Sequence, residues 1–109
     1  MLDDSLSRAA NAVRDWAQKR PFVRRAWIYG SRARGDHGEN SDLDVAIEID
    51  CIGHDTDPST SFVAESPGWK RELDAATELD VHLQLYDPQR ENPVVAEAVN
   101  REGLLVFER

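Results

Sequence analysis

The chain has 109 residues and a formal net charge of −8, with 21 acidic against 13 basic side chains. That length fits one small domain over residues 1–109, able to bury roughly 65% of its unfolded surface. The acidic balance argues against a general nucleic-acid binder, which needs a basic face to neutralise phosphates.

Cys51 is the only cysteine, so no intrachain disulfide forms. The N-terminal residues lack a basic start followed by an apolar core, and no apolar run reaches membrane-spanning length. The expectation is a soluble cytoplasmic protein with no membrane partner.

Leu2, Leu6, Ala9, Val13 and Trp16 recur at spacings of four and three, the apolar face of a helix. Asp3 and Asp4 sit near its positive end and Pro21 closes it. A strand over 23–29 follows, in which Val23, Trp27 and Tyr29 alternate imperfectly with Ala26 and Ile28. Gly30 ends it. Residues 31–41 are polar, contain Gly35 and Gly38, and read as a short helical turn plus loop. The second strand, 42–49, places Leu43, Val45, Ile47 and Ile49 on one face and Asp42, Asp44, Ala46 and Glu48 on the other.

Residues 50–66 have no sustained period and read as a loop. Ser66-Pro67 reads as a helix start, with Trp69, Leu73 and Ala76 as the buried stripe. A third strand, 79–85, alternates Leu79, Val81, Leu83 and Leu85 against Asp80, His82 and Gln84. Asn92-Pro93 opens a last helix bearing Val94, Val95, Ala98 and Val99, which Gly103 stops, and "LLVF" at 104–107 is a final strand. The expected class is α/β (α+β), a sheet of about four strands covered by helices.

Asp42 and Asp44, two apart on a strand, project from one face about 6.5–7 Å apart at the backbone. Like charges that close repel unless a cation joins them, and Mg²⁺ binds carboxylates together with phosphate oxygens. Asp80 lies on the polar face of another strand. If that strand neighbours the second, three carboxylates converge, the set a two-metal site uses. Gly30 lets the backbone approach a ligand, and Ser31 opens a turn whose amides and hydroxyl suit phosphate. Arg32 and Arg34 can neutralise a triphosphate. Singly, each of these is ordinary: a strand-end acid, a common turn, surface charge. Asp55 and Asp57 show how common a lone acid pair is, since no phosphate turn accompanies them and Pro58 and Thr60 break a calcium-loop pattern. Strand context, Gly-Ser and a third acid together point to a nucleoside-triphosphate site.

Gly30-Ser31, ten intervening residues, then Asp42-Leu43-Asp44 resembles the signature of the polymerase-β nucleotidyltransferase superfamily. More narrowly, the chain resembles the minimal nucleotidyltransferases encoded beside HEPN-domain toxins. Asp80 in "ELDVHLQL" matches the family's third carboxylate, and "NREGLLVFER" resembles its closing helix and strand. The resemblance implies a mixed sheet, Mg²⁺ (two ions) and ATP as substrate. Carried over, Gly30 and Ser31 hold the triphosphate, Asp42 and Asp44 bind metal, and Asp80 joins them and helps activate the acceptor. Arg32 and Arg34 belong to the "GSRARG" form of the small members. The implied activity is transfer of AMP to a hydroxyl, a tyrosine, of a HEPN-toxin partner, making the chain an antitoxin. Two alternatives stay open: a small-molecule nucleotidyltransferase subunit of aminoglycoside type, and an antitoxin that binds without chemistry.

His82, on the face of Asp80, is a candidate for lining the cleft. His37 and His54 are expected in solvent and Cys51 in the interior. Trp27 and Trp69 are expected as core or interface, and Tyr29 beneath the Gly30 turn.

Overall fold

In the computed structural model, which describes residues 4–35, 42–50, 58–87 and 93–109, helix α1 spans Asp4–Gln18. It turns Leu6, Ala9, Ala10, Val13, Trp16 and Ala17 inward, the stripe its spacing predicts. Strand β1 spans Val23–Tyr29, the short helix α2 Ser31–Arg34 and strand β2 Leu43–Ile49. Helix α3 spans Pro58–Thr77, β3 Val81–Leu85, α4 Pro93–Glu102 and β4 Leu104–Glu108. The expectations for Leu2, Asp3, His37, Gly38, Cys51, His54 and Asn92 lie outside the described residues. Among the described residues, no helix is long and apolar enough to cross a membrane.

The strands form one mixed sheet in the order β3-β2-β1-β4. β1 is antiparallel to both β2 and β4, whereas β2 and β3 run parallel. One face is covered by α1 and α3, where Val13, Trp16, Trp69 and Leu73 meet Ile28, Val45, Ile47 and Val81. On the other face, α4 packs Val99 against Trp27, Tyr29 and Ala46. The imperfect alternation of β1 has a cause. The register shifts between Val23 and Arg25, so Val23 joins Ala26 and Ile28 on the larger core while Trp27 and Tyr29 face α4.

Two sequence expectations need correction. Residues 58–66 are not loop: α3 begins at Pro58, and Pro67 sits inside the helix rather than at its start. Proline at the first helical position needs no N–H partner, which suits Pro58. Within the helix, Pro67 forfeits a backbone hydrogen bond, a cost that packing must offset. The packing is aromatic. Trp69 stacks on Phe22 with ring centroids 4.8 Å apart and meets Phe62 edge-on at 6.2 Å. Phe62, in the same helix as Trp69, packs against the core and holds the first half of α3, whose Ser and Thr content hides its helical character. The second correction concerns buried positions: Val94 is 78% exposed and Ala96 takes the interior place instead, while Ala76, expected in the buried stripe of α3, is exposed.

If α3 packs in this way, Leu73→Ala, at a site with no exposure, lowers unfolding free energy by about 2–5 kcal/mol. Val63→Ala, in the same helix but 74% exposed, changes it by less than about 0.5 kcal/mol. Urea denaturation of the two variants checks the contrast.

Candidate active site

The site lies where β1 ends and β2 and β3 begin. Antiparallel pairing sets Tyr29 opposite Asp44, and parallel pairing sets Asp44 opposite His82. Leu43 N–H donates to Asp80 O at 3.0 Å, which aligns the first residues of both strands. Side chains two apart share a face, so Asp42, Asp44, Asp80 and His82 all stand on one side of the sheet edge. The strand adjacency on which the sequence made that convergence conditional is present, and it brings Asp42 and Asp80 together with His82.

Gly30 makes the approach possible. Its φ of +77° is a conformation that side chains disfavour, and a Cβ there would collide with Asp44 Oδ2 and lie 3.1 Å from its Cγ. The chain then turns through α2, where Gly30 O accepts from Arg34 N–H at 3.1 Å and Gly35 closes the turn in the left-handed conformation. Ser31 stands at the head of that turn, half-buried. Arg32 and Arg34 differ. Arg32 is only 5% exposed, whereas Arg34 reaches the surface and donates from Nη1 to both carboxylate oxygens of Glu102, at 2.9 and 3.0 Å. Glu102 is thus a site residue that the sequence reading passed over. Nothing in local spacing pairs it with a residue 68 positions away.

The charges are arranged against one another. His82 Nε2 lies 3.0 Å from Asp42 Oδ2, and its Nδ1 lies 3.8 Å from Asp44 Oδ1. Burial, the largest cause, pushes the Asp44 carboxyl above its ordinary range, and Asp42 and Glu102 push the same way against His82 and Arg34. Tyr29 beneath it is raised to about 12 by burial and by the Asp44 charge. Asp80 is different. It is exposed, and its hydrogen bond from Lys70 Nζ, at 2.8 Å, holds its carboxyl below the usual value. Lys70 in turn is anchored on Asp74 at 3.0 Å, and Asp74 accepts the Val81 N–H at 2.8 Å. Helix α3 therefore aims a cation at the third carboxylate. Lys70 was not singled out from the sequence.

Asp42, Asp80 and His82 offer ligand atoms that all lie within 4.8 Å of one another. Cis ligands on a small octahedral cation are about 3 Å apart. The donor set fits a divalent ion, with Asp44 alongside. A separate cleft of about 410 Å³ lies toward the other end of β1 and β2, lined by Arg24, Arg25, Glu48, Pro58 and Tyr86. Its arginines are engaged, Arg24 with Asp50 at 3.2 Å and Arg25 with Glu48 at 3.1 Å.

Residues 11–109 match the family model described as polymerase beta, nucleotidyltransferase. No curated protein matches the chain. Among solved structures, a toxin-antitoxin with AMP-PNP aligns with a TM-score of 0.70 at 20% identity, covering 92% of this chain and 73% of that one. The toxin-antitoxin MntA-HepT aligns with a TM-score of 0.63 at 17% identity, covering 93% and 71%. A tri-AMPylated Shewanella oneidensis HEPN toxin in complex with MNT antitoxin gives 0.63 at 16% identity, again covering 93% and 71%. At these identities the likeness is one of fold.

The raised Asp44 pKa fixes a sign. A carboxyl whose folded pKa lies above its unfolded one favours the fold at low pH and loses that contribution as pH rises through the folded value. Asp44→Asn is therefore expected to raise the thermal midpoint of the metal-free protein at pH 7, with the gain shrinking as pH falls through the raised folded pKa and gone below about pH 4. Melting curves across that range, with a chelator present, check it.

Proposed function

Because the chain belongs to the polymerase-β nucleotidyltransferase family, we propose that it transfers AMP from ATP to a tyrosine hydroxyl of a HEPN toxin and acts as that toxin's antitoxin. The observation that carries this reading is the gathering of Asp42, Asp80 and His82, with Asp44 the register partner of His82, beside a glycine turn that only a residue without Cβ can make. The structural likeness to toxin-antitoxin complexes, one with AMP-PNP and one with an AMPylated toxin, supports the nucleotide and the partner.

Asp42, Asp44 and Asp80 would hold Mg²⁺, and His82 lies against the same set. When bound, the ions neutralise the phosphates and lower the pKa of the acceptor hydroxyl. Gly30 leaves room for the triphosphate beside Asp44, and Ser31 donates to it from the head of α2. Arg34, steered by Glu102, supplies positive charge toward the departing pyrophosphate. Arg32 is buried beneath the turn and supports it from inside. The acceptor oxygen attacks the α-phosphorus, the bond to the α–β bridging oxygen breaks, and pyrophosphate leaves. The hydroxyl proton passes to water by way of Asp80, which is exposed and kept ionised by Lys70.

Intact mass spectrometry of a HEPN partner incubated with the chain, ATP and Mg²⁺ tests the reading. The expected result is the added mass of AMP, absent with Asp42→Ala/Asp44→Ala. Gly30→Ala, which drives a methyl group into Asp44, is expected to slow transfer by about 10²-fold, the cost of misplacing a reacting group by about 1 Å. A partner neutralised equally by wild type and the double variant, with no added mass, overturns the enzymatic reading in favour of binding alone.

A further inference from the structure

His82 belongs to no carboxylate motif, yet it occupies the centre of the site. Its Nε2 is 3.0 Å from Asp42 Oδ2, about the separation of cis ligands on an octahedral ion. Its Nδ1 points to Asp44 Oδ1, 3.8 Å away. With Asp80 it completes a set whose ligand atoms fall within 4.8 Å. The strand pairing dictates this placement, since Asp44 and His82 are register partners in β2 and β3. Lys70 meanwhile anchors Asp80 from the side of α3, so the Asp80 carboxylate is held next to the imidazole. A metal-bound imidazole generally turns its second ring nitrogen toward a carboxylate. Asp44 stands on that side.

We propose that His82 is a nitrogen ligand of the ion nearest Asp80, and that it biases this position toward a transition ion such as Mn²⁺ over Mg²⁺. An all-oxygen site suits Mg²⁺, whereas imidazole contributes far more to the binding of transition ions. This inference rests on the reading of the carboxylates as a metal site, and on nothing about the acceptor. The competing role for His82 is a counter-cation that a metal expels. The two roles separate cleanly, because a ligand stays bonded to the ion and a counter-cation leaves.

The test is Mn²⁺ titrated into the whole chain without nucleotide or acceptor, followed by electron paramagnetic resonance. Pulsed spectra of bound Mn²⁺ are expected to show nitrogen coupling that His82→Asn abolishes. His82 is exposed, so the substitution leaves the core untouched. Mn²⁺ affinity is expected to fall about 10-fold in that variant, while Mg²⁺ affinity, measured by competition, changes less than about twofold. Bound Mn²⁺ without nitrogen coupling overturns the inference, as does tighter binding of both ions by His82→Asn or the absence of bound Mn²⁺. AMP transfer by an enzyme whose Mn²⁺ shows no nitrogen coupling sinks this inference alone. Nitrogen-coupled Mn²⁺ in a chain that transfers nothing sinks the transferase reading alone.

Discussion

The parallel pairing of β2 with β3 is the constraint on which the site depends. Leu43 sits opposite Val81 and Asp44 opposite His82, so both strands begin at the same sheet edge. Had β3 run the other way, Asp80 would lie several residues from Asp42, and the carboxylates could not share an ion. A parallel connection needs a crossover long enough to return the chain to the starting edge. Helix α3 supplies it, and its aromatic anchor, Trp69 on Phe22 and Trp16, fixes its place in the fold. The same helix carries Lys70 to Asp80. Crossover and counter-ion are therefore one element with two consequences.

Seating a carboxylate among others in a part-buried site has a cost, visible in the pKa of Asp44, which burial raises most and the Asp42 and Glu102 charges raise further. The protein limits it with cations drawn from two different elements, Lys70 from α3 and Arg34 from α2. Each is tied to an acid, Arg34 to Glu102, so the turn bearing Ser31 is braced by the end of α4. This arrangement holds side chains in place before any ligand arrives. It leaves Asp44 as the strained member, hemmed in by Gly30, whose missing Cβ is what allows the contact.

Much of this was legible in the chain. Strand β1 and the buried face of β2 followed from composition and alternation, because a half-buried strand must show period two. Gly30-Ser31 with Asp42 and Asp44 stood out through types and spacing alone. The start of α3 did not, since Pro67 and the Ser/Thr content of 58–66 mask a helix that the packing of Trp69 on Phe22 and of Phe62 on the core stabilises. Nor could the sequence pair Arg34 with Glu102 or Lys70 with Asp80, because such contacts depend on where the fold brings distant segments. Arg32 and Arg34 looked alike as letters; a four-residue helix buries one and exposes the other. His82 shared a face with Asp80 on paper, but only the strand register sets it between Asp42 and Asp44.

The central claim is that these carboxylates and the Gly30 turn form one metal–nucleotide site. It is tested most directly by a crystal structure of the chain with Mn²⁺ and a non-hydrolysable ATP analogue, using anomalous scattering to locate the ion. The account predicts an anomalous peak among Asp42, Asp44 and Asp80, with the triphosphate running past Gly30 to Ser31. A nucleotide lodged instead in the cleft by Arg24, Arg25 and Tyr86, with no ion at the carboxylates, would contradict it.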